Sequence, residues 1–172
     1  MVLEIIGIML AVVFLAIIIN GAEGYCKQKK RENMSFREAM DLVELPIVTF
    51  YNKDTKLNFL LDTGSDLSYI NKSILPSLEY KEMNESRNII SVGGNSQSLG
   101  CCDMTVTYRN QKFIDRFYIS DLDEAFGAIK AETGVQIHGI LGSKFFTKYK
   151  YTLDFESLIA YPRAENMCKI WK

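Results

Sequence analysis

The sequence has few of the residues from which metal, redox and nucleic-acid sites are built. Its 172 residues include one histidine, His138, and four cysteines that form no C-x-x-C pair. One histidine excludes a site made of several histidines, and the cysteine spacing fits no zinc site. Lysine and arginine total 20 against 21 aspartate and glutamate, so the basic excess typical of nucleic-acid binding is absent. We therefore expect no metal, no other cofactor and no nucleic-acid partner.

Apolar residues are concentrated at the N-terminus, where residues 5–19 form an uncharged run. As a helix this run spans roughly 22 Å, and its flanks extend it toward the hydrocarbon core of about 30 Å. A signal peptide would carry basic residues before the run, but Glu4 stands there. A lipoprotein signal would place small residues before Cys26, but Glu23, Gly24 and Tyr25 stand there and fit poorly. A buried core helix is a further alternative. We predict that residues 2–22 form a transmembrane helix in the lipid bilayer, so that residues 1–22 are the anchor.

Four basic residues follow the apolar run, whereas none precedes it. They are Lys27, Lys29, Lys30 and Arg31. Basic residues next to a membrane span favour the cytoplasmic side. This predicts a single-pass protein with its N-terminus outside and its body in the cytoplasm, where thiols stay free.

The remainder of the chain is predicted to be mostly β, with a few short helices. Residues 23–44 form a basic linker and a short helix, which the capping box Ser35–Glu38 starts and Pro46 follows. Residues 45–165 form the body and residues 166–172 a tail. Residues 79–87 are charged and are predicted as a loop, Asn71 and Ser143 as helix caps, and residues 121–132 as helix or loop. The predicted strands are 47–51, 57–61, 67–70, 89–92, 104–108, 113–120, 140–141, 151–155 and 158–161.

The main chemical motif is Asp62-Thr63-Gly64-Ser65, which directly follows the apolar residues 59–61. Gly64 permits a sharp backbone turn, while Thr63 and Ser65 supply hydroxyls and backbone donors that can orient the Asp62 carboxylate. Taken alone, this tetrapeptide also suits an ordinary turn between two strands. The motif predicts a carboxylate held at the end of a buried strand.

In this context the sequence resembles the retropepsin-like aspartic proteases over about residues 45–162. The family pattern places apolar residues before Asp-Thr-Gly-Ser and a second segment of two apolar residues and a glycine further on, here Ile140, Leu141 and Gly142. The resemblance implies a closed acid-protease-type β-barrel of one lobe, in which the two segments meet. It also implies a hairpin flap between them. The candidate tip is Val92, Gly93, Gly94 and Asn95, which otherwise suits an ordinary hairpin turn.

The sequence contains one Asp-Thr-Gly, whereas aspartic protease chemistry needs two carboxylates that share a proton around one water. The resemblance therefore implies a homodimer in which Asp62 faces its symmetry mate, with a protein or peptide as substrate. This predicts a membrane-anchored aspartic endopeptidase. The alternative is an inactive protease-like module that dimerises or binds peptides.

Other polar residues suit less specific roles. Asp121-Leu122-Asp123 faintly resembles the nucleophile motif of haloacid-dehalogenase-type phosphatases, but the body lacks their alternating β and α pattern, and acids also favour a helix N-terminus. His138 is interpreted as a structural or surface residue. The adjacent Cys101 and Cys102 are interpreted as buried or partly buried free thiols.

Overall fold

The structure, a computed structural model, describes residues 34–90 and 96–162. The predicted anchor, the basic residues that follow it, the flap tip Val92, Gly93, Gly94 and Asn95, and the tail lie outside these residues. Within the described ranges, no helix is long and apolar enough to cross a bilayer.

The first helix, α1 (Phe36–Val43), begins at the predicted capping box. The Ser35 Oγ accepts a hydrogen bond from the Glu38 amide at 3.3 Å, and the Ser35 amide donates to the Glu38 carboxylate at 3.1 Å. Both bonds satisfy backbone donors that the first helical turn leaves free. The buried side chains of Phe36 and Ala39 join the core, so α1 packs on the body.

The described residues form nine strands, and six of them close into a barrel. The strands are β1 (Ile47–Asn52), β2 (Thr55–Leu61), β3 (Ser68–Asn71), β4 (Lys81–Ile90), β5 (Ser96–Tyr108), β6 (Gln111–Ser120), β7 (Gly139–Leu141), β8 (Tyr151–Asp154) and β9 (Ile159–Pro162). The ring order is β1-β2-β7-β3-β6-β5, and the pairing of Tyr51 with Thr107 joins β5 back to β1. This confirms the expected closed, mostly-β barrel.

Aromatic side chains fill the barrel. Phe50, Phe59, Phe117 and Phe145 are fully buried, and the Phe50 ring lies 5.8 Å from Phe59 and 6.1 Å from Phe145, in edge-to-face arrangements. Burial of one such side chain stabilises the fold by about 1.5–3 kcal/mol. These residues come from β1, β2, β6 and the helix after β7. Their packing therefore fixes the relative position of the two predicted site segments, which follow β2 and form β7.

The connections include two further helices, α2 (Asp123–Thr133) and α3 (Ser143–Tyr149), and a 3-10 helix at Lys72–Ser77. Strands β8 and β9 form a separate antiparallel hairpin, as predicted. The β5–β6 hairpin turns tightly at Arg109 and Asn110, whose φ angles of 46° and 67° are left-handed. Such a two-residue turn matches the twist of the flanking strands.

Two local predictions are wrong, and a third is correct in position only. The charged segment 79–87 is largely strand β4 rather than loop. Its side chains are mostly exposed, and backbone pairing with β5 orders it. Ser143 begins α3 instead of capping it, since Gly142 occupies the cap position. Asn71 occupies the N-cap position of the 3-10 helix, as predicted, but its side chain bonds to the start of α2 instead of to that helix.

Candidate active site

Asp62 lies directly after β2, beside the second predicted segment. Strand β7 runs parallel to β2, so that Ile140 pairs with Leu60 and Leu141 with Leu61. The Asp62 amide donates a hydrogen bond to the Leu141 carbonyl at 3.0 Å. Tertiary pairing therefore brings two sequence-distant motifs into one site.

The Asp62 carboxylate is oriented by its own loop. The Gly64 amide donates to Asp62 Oδ1 at 2.8 Å, and the Ser65 amide donates to the Asp62 carbonyl at 3.3 Å. Aspartate commonly stabilises a turn in this way. Asp62 is half-buried, whereas Thr63 and Gly64 are exposed. The carboxylate is thus held in one orientation near the surface of the barrel domain.

Gly142 allows the loop and the later segment to approach closely. A Cβ at this position would lie 2.3 Å from the Leu67 carbonyl oxygen, which is far inside van der Waals contact. The Gly142 amide donates to Ser68 Oγ at 3.3 Å, and the following amide, that of Ser143, donates to the Ser65 carbonyl at 2.7 Å. All predicted supporting residues, namely Thr63, Gly64, Ser65, Ile140, Leu141 and Gly142, therefore lie in one contiguous region with Asp62.

A buried polar network supports the strands behind the site. The Thr49 hydroxyl donates to Asn58 Oδ1 at 2.6 Å, and the Asn58 amide donates to His138 Nδ1 at 3.0 Å. Burial, with a smaller contribution from Lys130, lowers the pKa of His138. The neutral ring that accepts this bond ties β2 to the segment before β7, which is a structural role.

The other candidate groups have structural partners. Asp123 Oδ1 accepts bonds from Asn71 Nδ2 at 2.8 Å and Ser73 Oγ at 2.9 Å, and these bonds lower the pKa of Asp123. The described residues contain no group of His, Cys, Asp and Glu side chains that could hold a metal ion. Cys101 and Cys102 are buried free thiols, as interpreted, and burial raises the pKa of Cys102 to about 12.

Residues 67–69, which the sequence predicts only as part of a strand, form the opposite wall of the site loop. The backbone of Leu67 lies against Gly142, the Ser68 hydroxyl accepts a hydrogen bond from the Gly142 amide, and Tyr69 pairs with Ile140. Burial and Asp66 raise the pKa of Tyr69, whereas the Ser65 hydroxyl and Arg87 lower it. The residue types of this segment predict only a short strand, so the sequence contains no local signal for these contacts.

A closed barrel with an Asp-Thr-Gly loop held against an apolar-apolar-glycine strand defines a single-lobe protein of the aspartic protease class. The chain belongs to the retroviral aspartyl protease family, whose family model matches residues 41–154. A similar solved structure is that of EIAV protease in complex with the inhibitor HBY-793. It has 21% sequence identity and a TM-score of 0.46, and the match covers 64% of this chain and 93% of that chain. A comparison with curated proteins found no match.

Proposed function

We propose that this protein is an aspartic endopeptidase that hydrolyses peptide bonds with a water held between two Asp62 carboxylates. The observation that carries the proposal is the Asp62 carboxylate, which Gly64 orients and which Leu141 anchors through the Asp62 backbone, within a domain of the retroviral aspartyl protease family. The ionised carboxylate takes a proton from the water, and the protonated one polarises the scissile carbonyl.

The proposed enzyme is a homodimer, because each chain has one Asp-Thr-Gly and the chemistry needs two carboxylates. In a symmetric dimer, Asp62 of one protomer faces the same residue of its partner. The β8–β9 hairpin supports this proposal, since it pairs with no other strand of the described residues. Its apolar residues Phe155 and Ile159 are 56% and 41% exposed, so this hairpin is the proposed part of the dimer interface.

Mixing of chains tests both parts of the proposal. Full-length protein in detergent is assayed on a peptide library, alone and with an excess of the Asp62→Asn variant, which keeps the shape of the side chain. We expect Asp62→Asn to be inactive and to inhibit the wild type, because mixed dimers have one competent carboxylate. The control is Asp54→Asn, the same change in the exposed β1–β2 turn. Hydrolysis by pure Asp62→Asn contradicts the mechanism, and a wild type without hydrolysis favours the inactive dimerising module.

We further propose that residues 2–22 anchor the protein in the bilayer, with the N-terminus outside and the body in the cytoplasm. An anchor confines both protomers to one surface and raises their effective concentration. The native thiols Cys101 and Cys102 are unsuitable reporters because both are buried. A cysteine substituted for the exposed Glu132 is suitable instead. A membrane-impermeant thiol reagent should give this variant extra labelling only after lysis, and extra labelling in intact cells contradicts the orientation.

A further inference from the structure

Strand β4 and the first part of β5 form a two-stranded ribbon that leaves the barrel. Residues 86–90 pair with residues 96–100, and no third strand within residues 34–90 or 96–162 pairs with this stretch. From Cys101 onward, β5 is also paired with β6, beginning with Cys101 opposite Tyr118. A two-stranded ribbon is only marginally stable by itself, so its direction depends on how its base is held.

The base of the ribbon is marked by an irregularity in β4. Met83 pairs with Cys101 and Ser86 pairs with Gly100, so that Asn84 and Glu85 are two additional residues on the β4 side. Such a bulge bends the strand and increases its twist. The bend falls where the ribbon loses the support of β6. Contacts made by Glu85 therefore act at the point that sets the angle of the ribbon.

Glu85 is held to the barrel by one guanidinium and one thiol. Arg116 of β6 donates to both carboxylate oxygens of Asp103, at 2.8 and 3.3 Å, and its remaining terminal nitrogen donates to Glu85 Oε2 at 2.6 Å. Cys101 Sγ donates to the Glu85 carbonyl at 3.4 Å. The planar, rigid guanidinium of arginine suits simultaneous hydrogen bonds to two carboxylates. The same hydrogen bonds from Arg116 lower the pKa of Asp103.

A continuous row of paired residues connects the bend to the Asp62 site. It runs from Met83 through Cys101, Tyr118, Tyr69 and Ile140 to Leu60, two residues before Asp62. Within this row the rings of Tyr69 and Tyr118 lie 6.3 Å apart. The charge of Arg87, on the ribbon, and the hydroxyl of Ser65, in the Asp62 loop, both act on the Tyr69 phenol. Tyr69 is therefore within electrostatic range of both the ribbon and the site loop.

We propose that Glu85 and Arg116 are positioning residues for substrate binding at the Asp62 site: their ion pair fixes the ribbon at its bend. This inference rests on the proposed function, because it assigns the pair a role in binding the peptide. The Glu85 and Arg116 side chains hydrogen-bond to each other, and Arg116 also bonds to Asp103 on β5, which assigns the pair a positioning role instead of a catalytic one. Weakening the pair should loosen the ribbon and raise KM while leaving the carboxylate chemistry, and hence kcat, unchanged.

The test compares Glu85→Gln with Glu79→Gln in the full-length protein. Glu79 is a matched control, since its side chain is also 63% exposed and also pairs with a cation, Lys53. We expect Glu85→Gln to raise KM about threefold with kcat within about twofold, the size of one exposed ion pair. Amide hydrogen exchange in residues 86–88 and 98–100 should accelerate by a similar factor in Glu85→Gln alone.

The two readouts separate the inference from the proposed function. Unchanged exchange in the ribbon of Glu85→Gln overturns the positioning role, whether or not the protein hydrolyses peptides. Faster exchange with an unchanged KM overturns the link to substrate binding. A fall in kcat at unchanged KM also overturns it, because the pair would then act on the chemical step. Absence of hydrolysis in the wild type contradicts the proposed function, while the exchange comparison still decides whether Glu85 holds the ribbon.

Discussion

Replacement of Gly142 by alanine should disrupt the junction between the Asp62 loop and α3. The new Cβ would lie 2.3 Å from the Leu67 carbonyl oxygen, 2.6 Å from its carbon and 2.9 Å from the Leu67 nitrogen. These are backbone atoms of a buried residue, so no flexible side chain can move aside. Overpacking of this kind costs about 1–3 kcal/mol, and displacement of the Gly142 amide from Ser68 costs about 1 kcal/mol more. We expect the free energy of unfolding to fall by about 2–4 kcal/mol, from a typical domain value of about 5–15 kcal/mol.

Urea titration followed by far-ultraviolet circular dichroism measures this loss. Gly100→Ala is the matched control, because a Cβ there meets no atom within 4 Å. The free energy of unfolding of Gly100→Ala should be no lower than that of wild type. Peptide hydrolysis by Gly142→Ala should also decrease, since the shifted loop carries Asp62. Equal urea midpoints for Gly142→Ala and Gly100→Ala would refute the inference that close backbone packing at Gly142 shapes the site.

Three further predictions concern stability. Ser35→Ala removes the acceptor for the Glu38 amide and should cost about 1 kcal/mol; an unchanged melting temperature would contradict the capping role. Gly127→Ala, in α2 with no atom within 4 Å of the new Cβ, should stabilise the protein by about 0.5–1 kcal/mol, and a lower urea midpoint would count against it. Burial holds the pKa of His138 in the folded protein below 6.5. The contribution of the neutral ring to the free energy of unfolding is therefore complete above pH 6.5, and it is lost as the pH falls through 6.5 toward the folded-state pKa. His138→Gln keeps an acceptor for the Asn58 backbone amide but does not titrate. In urea titrations at several pH values, its free energy of unfolding should therefore fall less on acidification than that of wild type. The same pH dependence in both proteins would exclude His138 as the cause of the fall.

Local features of the fold could be predicted from short stretches of sequence. The capping box at Ser35 starts α1, and the β1–β2, β5–β6 and β8–β9 hairpins follow from apolar strands separated by polar turns. The prediction for residues 79–87 is wrong because a strand is recognised in sequence by its apolar, buried residues. Strand β4 has mostly exposed side chains and is ordered by its backbone pairing with β5.

The sequence by itself determined the chemistry of the site: one Asp62 carboxylate, the Gly64 turn beside it, and a second apolar-apolar-glycine segment far along the chain. Tertiary structure alone decided how these parts meet. The β2–β7 pairing places the Leu141 carbonyl on the Asp62 amide, and the closeness of Leu67 leaves no room for a side chain at position 142. The ion pair between Glu85 and Arg116 likewise depends on three strands lying side by side. Such contacts join residues distant in sequence, and closure of the barrel, rather than any local pattern, sets their distances.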